Sequence, residues 1–134
     1  MTSSAVRPEP VVSDRAPAPI GPYSQAVRLG TLLFTSGQVA LNPETGVLVN
    51  ESVEAETRQV MQNLAAVLEA AGTSFGQVAK AQIFLADMGD FKRVNEVYGS
   101  FLRSPYPARS TVEVAGLPLG VRVEIEMIAN VSGS

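Results

Sequence analysis

Arg109 and Glu124 are the side chains in this 134-residue chain whose setting best suits chemistry. Arg109 lies in Pro107-Ala108-Arg109-Ser110-Thr111-Val112-Glu113-Val114, and Glu124 in Val121-Arg122-Val123-Glu124-Ile125-Glu126-Met127. Both stretches alternate with a period of two, which predicts strands. In the first, Arg109, Thr111 and Glu113 share one face; Ser110, Val112 and Val114 share the other. In the second, Val121, Val123, Ile125, Met127 and Ala129 form the apolar face, and Arg122, Glu124 and Glu126 the polar one. Only a short connection around Leu117 separates the two, so they are expected to pair and bring Arg109 close to Glu124. A planar guanidinium fixed beside a carboxylate can grip a small acid through two parallel hydrogen bonds and hold a water next to it. That arginine is expected to lower the carboxylate's pKa. A purely structural ion pair would look the same, and spacing alone leaves both readings open.

The elements that must hold these groups can be read from periodicity. Leu32-Leu33-Phe34-Thr35-Ser36-Gly37 reads as a buried strand ending at a glycine. Asn42-Pro43-Glu44-Thr45-Gly46 reads as a turn. Residues 53–71 carry Val53, Val60, Met61, Leu64, Val67, Leu68 and Ala71 at helical spacing, with Ser52 as N-cap and Gly72 past the end. Residues 78–86 read as a strand. Asp90 is expected to cap a second helix bearing Phe91, Val94, Tyr98, Phe101 and Leu102, stopped by Pro105 and Pro107. Tyr98 and Phe101 fit core positions, and Asn95 is left out of the site. This order predicts an α+β fold: a single sheet with both helices packed on one face. The polar residues of the last two strands are expected on the other face. Ile128 falls among them, so further copies of the chain are the economical cover for that surface. Residues 1–18, with Pro8, Pro10, Pro17 and Pro19 in or beside them, read as a flexible extension, and 19–134 as the domain.

Composition narrows the chemistry. Hydrophobic content of 46% and charged content of 17% suit one globular domain. The chain has no Cys and no His, so thiol nucleophiles, disulfides and imidazole bases are out of reach. Ser36 without a histidine is a poor nucleophile. A net charge of −3 argues against a surface that tracks nucleic acid. No apolar run approaches a bilayer span, and no secretory signal is legible, so a cytoplasmic location is expected with no membrane partner.

Several ordered motifs resemble those of the Rid family, the reactive intermediate deaminases. They are Ile20-Gly21-Pro22-Tyr23-Ser24-Gln25-Ala26, Thr35-Ser36-Gly37-Gln38, Ala70-Ala71-Gly72, Asp90-Phe91 with Val94-Asn95 and Tyr98, Pro107-Ala108-Arg109-Ser110 and Val123-Glu124-Ile125-Glu126. The resemblance covers about residues 16–131. It implies a chorismate-mutase-like fold, a homotrimer with sites in clefts between subunits, and hydrolysis of 2-imino acids such as 2-iminopropanoate and 2-iminobutanoate to 2-oxo acids and ammonia. It assigns carboxylate binding to Arg109, water placement to Glu124 and a pocket-lining role to Tyr23. Ser36, Gly37 and Thr111 then join Arg109 in binding substrate, and neither a metal nor a cofactor is expected. Thr111 stands where close relatives often carry Cys, which leaves the subgroup open. Two other readings keep the scaffold: a deaminase of a different imine or enamine, and a non-enzymatic module that binds small carboxylates or a protein partner.

Overall fold

Ser52 starts the longer helix by accepting a hydrogen bond on its side-chain oxygen from the Ala55 N–H at 3.0 Å. This helix, α1, spans Val53–Ala70, with Glu54 and Glu56 in its positive first turn. Just past its end Gly72 adopts φ +80°, a conformation that glycine reaches without a Cβ clash. Val60, Met61, Leu64, Val67 and Leu68 are fully buried from one face of α1. The structure, a computed structural model, describes residues 6–132.

A six-stranded sheet lies under α1. Its strands are β1 (Glu9–Val11), β2 (Ala26–Leu29), β3 (Leu32–Thr35), β4 (Val78–Leu85), β5 (Ala108–Glu113) and β6 (Val123–Asn130). The spatial order is β1-β2-β3-β6-β4-β5, antiparallel throughout except that β5 runs parallel to β4. The second helix, α2 (Phe91–Ser100), makes the crossover that a parallel pair requires. Val123, Ile125, Met127 and Ala129 of β6, with Ala81, Ile83 and Leu85 of β4, form the floor of the core beneath the helices. The expected α+β fold, one sheet and two helices on one face, is therefore present.

Three expectations are corrected. First, β5 and β6 do not pair, because β4 lies between them. A strand entered through a helix lands outside its predecessor, and the last strand then inserts on the inner side of β4. Second, the polar side of β5 does not face away from the helices. Arg109 is in register with Ala81, and Thr111 with Ile83, so both sit on the helix-covered face. β5 is the sheet's edge, where polar side chains find partners on α2 and its approach: Glu113 Oε1 accepts from the Met88 N–H at 2.7 Å. Third, the stretch read as a flexible extension is built into the sheet from Glu9 onward; its residues 1–5 lie outside the described residues. β1 adds to β2, and the buried Gln25 side chain pins the following segment. Gln25 Oε1 accepts from the Ser13 N–H at 2.6 Å, and Nε2 donates to the carbonyls of Ser13, Ala16 and Pro17 at 3.0, 3.3 and 2.8 Å. A smaller correction concerns Asp90, whose carboxylate accepts from Arg93 at 2.6 Å instead of capping α2.

Candidate functional site

Arg109 sits near the start of the edge strand with its guanidinium over α2. Phe91, Asn95 and Tyr98 recur at i, i+4 and i+7, the spacing of one helix face. The Arg109 Cζ lies 5.5 Å from the Phe91 ring centroid and 5.2 Å from that of Tyr98, both within cation–π range. Arg109 Nη1 donates to Asn95 Oδ1 at 2.6 Å. Two aromatic rings and one amide thus fix the plane of the guanidinium. A guanidinium carries five donors, so most of the fork stays available to a ligand. Burial raises the Tyr98 phenol pKa above its usual 10.0, and the nearby Arg109 charge partly offsets the rise. The hydroxyls of Tyr98 and Thr111 are buried without a hydrogen-bond partner among the described residues.

Glu124 is built into a different place. From Phe34 to Gln38 is four residue steps, while their partners Ile128 and Ile125 are three apart, so β3 carries one extra residue here. Thr35 Oγ1 accepts from the Met127 N–H at 2.9 Å where the ladder breaks. The resulting bulge presses Gly37 onto the Glu124 carboxylate: a Cβ on Gly37 would lie 1.9 Å from Glu124 Oε2. Ser36 Oγ donates to the Ser24 carbonyl at 2.6 Å, which ties the loop carrying the half-exposed Tyr23 to the same bulge. The Tyr23 hydroxyl accepts from the Ile20 N–H at 3.3 Å. Upstream, the buried Glu56 pairs with Arg122 and accepts its backbone N–H at 3.0 Å, which anchors the entry to β6 two residues before Glu124. Arg122 is thus a structural partner. The Glu124 carboxyl is pushed above its ordinary 4.5, mainly by burial and further by the Glu126 carboxylate. The expected lowering by Arg109 does not occur within the chain.

The expected site residues therefore fall into two groups on opposite faces of the sheet. Glu124, in register with Phe84, and the Gly37 pressed against it belong to the uncovered face, and Ser36 ties the loop that carries Tyr23 to the same bulge. Arg109 and Thr111 belong to the helix face. Two strand spacings, about 10 Å, and three residue steps, also about 10 Å, separate Arg109 from Glu124 along the sheet. One chain does not bring them together.

The sequence reading missed Asn95, Tyr98 and Phe91 as partners of Arg109. Their i, i+4, i+7 spacing is visible in the sequence. Their target was not, because α2 meets β5 only through the parallel crossover. The uncovered face also exposes Phe34 and Val112, with Phe84 and Ile128 half-buried beside them. Among the described residues no three His, Cys, Asp or Glu side chains converge, and no helix is long and apolar enough to cross a membrane.

Comparison with known proteins adds to this geometry. The family described as Endoribonuclease L-PSP matches residues 13–131. Reactive Intermediate Deaminase A, chloroplastic, of Arabidopsis thaliana is 49% identical over 129 residues, covering 96% of this chain and 69% of that protein. The 2-iminobutanoate/2-iminopropanoate deaminase of Mus musculus is 47% identical over 127 residues, covering 95% of this chain and 93% of its own length. The crystal structure of RidA from the Antarctic bacterium Psychrobacter sp. PAMC 21119 superposes with a TM-score of 0.88 at 45% identity, covering 91% of this chain and 98% of that one.

Proposed function

The chain belongs to the family described as Endoribonuclease L-PSP, and from that premise we propose that it hydrolyses reactive 2-imino acids to 2-oxo acids and ammonia. The names of its relatives support an imine deaminase. The observation that carries the reading to particular atoms is the Arg109 fork, held in plane by Asn95, Phe91 and Tyr98 with most of its donors free. Such a fork fits a carboxylate bidentately. The net charge of −3 favours a small acid there over a polynucleotide.

The reaction is R–C(=NH)–COO⁻ + H₂O → R–CO–COO⁻ + NH₃. An imine carbon is already electrophilic, so catalysis rests on orientation, water placement and a proton path. Arg109 binds and orients the carboxylate. Glu124 accepts a hydrogen bond from the attacking water, takes its proton as the C–O bond forms and returns it to the departing nitrogen. Within the chain, burial and the Glu126 carboxylate raise its pKa, which favours it as the base. Tyr23 closes the pocket. Ser36 and Gly37 hold the water side in shape, and Thr111 lies beside the carboxylate on the strand that carries Arg109.

Since Arg109 and Glu124 lie on opposite faces of one sheet, a complete site takes them from two copies of the chain. The uncovered face, with Glu124 set among Phe34, Phe84, Val112 and Ile128, is the surface a second copy covers. We place the assembly as the homotrimer that the family resemblance implies. A closed ring repeats one such contact without leaving a free face.

The direct test couples a serine or threonine dehydratase to this protein and follows imine loss with semicarbazide as the trap. Wild type accelerates the loss and Arg109→Ala does not; no acceleration by wild type sinks the reading. The pH profile supplies an independent check. If Glu124 must be ionised, kcat/KM rises with pH through the pKa of its carboxyl. Removing the neighbouring negative charge lowers that pKa. Glu126→Gln therefore shifts the acid limb to lower pH, and an unmoved limb assigns the titration to another group.

A further inference from the structure

Next to Glu124 the bulge in β3 exchanges one neighbour for another. A ladder continued unbroken from the Phe34–Ile128 pair would set Gly37 opposite Ile125 and Gln38 opposite Glu124. The extra residue moves Gln38 onto Ile125 instead. The two exchange backbone hydrogen bonds of 2.8 and 3.2 Å, and Gln38 is buried there. Glu124 therefore meets the bare backbone of Gly37 in place of a glutamine side chain, so closely that a Cβ on Gly37 would lie 2.9 Å from Glu124 Cγ. Re-aiming a side chain beside a reacting group is a recurrent use of such bulges.

A side chain holds the ladder open. Met127 is buried, so its backbone N–H needs an acceptor inside the protein. That acceptor is Thr35 Oγ1 at 2.9 Å, and Thr35 is itself buried. On its other side β3 leans on β2: the Ser36 N–H donates to the Gln25 carbonyl at 2.9 Å. With the hydroxyl in place, no carbonyl of β3 has to close on Met127. Without it, the buried N–H is left unpaired, and drawing a β3 carbonyl inward is the way to satisfy it. That movement closes the bulge and takes Gly37 away from Glu124.

We infer that Thr35 is a positioning residue for Glu124: its hydroxyl stands in for a ladder carbonyl, keeps the bulge open and so sets where the carboxylate points. Thr35 follows Phe34 of the uncovered face and therefore points toward the helices, so it touches no substrate and acts through the backbone of Met127 and Gly37. The inference rests on the proposed deaminase reading for the role of Glu124.

The test grades the acceptor at position 35 and reads it in two arms. Thr35→Ser keeps the oxygen, Thr35→Cys offers a weak sulfur acceptor, and Thr35→Val matches the shape of threonine with no acceptor. The control is Thr73→Val, which removes another hydroxyl bound to the backbone of β6, the one donating to the Asn130 carbonyl at 2.8 Å. In the first arm imine hydrolysis is followed by semicarbazide trapping. Thr35→Val is expected to lower kcat about tenfold or more with KM within about twofold, since a small displacement of a reacting group is costly. Thr35→Ser restores kcat, Thr35→Cys falls between the two, and Thr73→Val matches wild type. In the second arm NMR follows the through-space contact between Gly37 Hα and Glu124 Hγ, which is expected in wild type and Thr35→Ser and lost in Thr35→Val. Full kcat in Thr35→Val overturns the inference, as does a serine form no better than the valine one, or a control that loses as much. If Thr35→Val does not fold, the cysteine form decides: kcat equal to that of the serine form overturns the inference. If wild type hydrolyses no imine, the deaminase reading fails, and the NMR contact still decides whether the Thr35 hydroxyl positions Glu124: its persistence in Thr35→Val overturns that.

Discussion

Mixed oligomers of Arg109→Ala and Glu124→Gln recover about one quarter of wild-type activity, although each variant alone is nearly inactive. Removing the arginine costs on the order of 10²–10³-fold, the usual effect of losing one positioned charge donor. Removing the base costs on the order of 10²–10⁴-fold. If each site takes Arg109 from one copy and Glu124 from its neighbour, a site is intact only when both donors are wild type at those positions. Random assembly at equal ratio makes that true for about one quarter of the interfaces in a closed ring. A site contained in one chain predicts no recovery at any mixing ratio. The measurement is imine hydrolysis after co-refolding, with oligomeric state checked by light scattering. The strand order puts β4 between the two residues, and the register puts their side chains on opposite faces.

Gly37→Ala abolishes most activity while leaving the fold in place. The new Cβ would fall 1.9 Å from Glu124 Oε2, 2.7 Å from its Cδ and 2.9 Å from its Cγ. All three contacts are with a flexible side chain, so the fold accommodates the methyl by turning Glu124 away. Function has no such freedom, because a displacement of about 1 Å at a reacting group can cost about 10²-fold. The expected result is a loss of kcat of that order, with KM and the melting temperature close to wild type. A variant of full activity would remove the Gly37–Glu124 contact from the mechanism. A variant that unfolds would instead show that the bulge tolerates no Cβ.

Much of this architecture was legible in the residues. Val60, Met61, Leu64, Val67 and Leu68 announce α1, and Ser52 and Gly72 mark its ends, because capping and helical periodicity are local physics. Val123, Ile125, Met127 and Ala129 announce the buried side of β6 for the same reason. The N-terminal stretch was misread because its anchors are distant. Pro8 and Pro10 look disordering, whereas the pairing of β1 with β2 and Gln25, reaching back to Ser13, Ala16 and Pro17, hold the segment. The charge state of Glu124 was misread because the lowering by Arg109 presumed a proximity that one chain does not provide.

By itself the sequence determined the helices, the strands, the faces each residue shares and the palette of reactive groups: an arginine, carboxylates and hydroxyls, with neither thiol nor imidazole. Those follow from periods of two and 3.6 residues and from side-chain chemistry, which act over a turn or a strand. Tertiary structure alone decided which strands are neighbours and which face of each meets the helices. Strand pairing is set by long-range burial and by the handedness of the crossover through α2. In an edge strand such as β5, exposed along most of its length, the alternation separates two faces without declaring which of them the helices cover. The pairing of Arg109 with Asn95, Phe91 and Tyr98, and its separation from Glu124, follow from that placement.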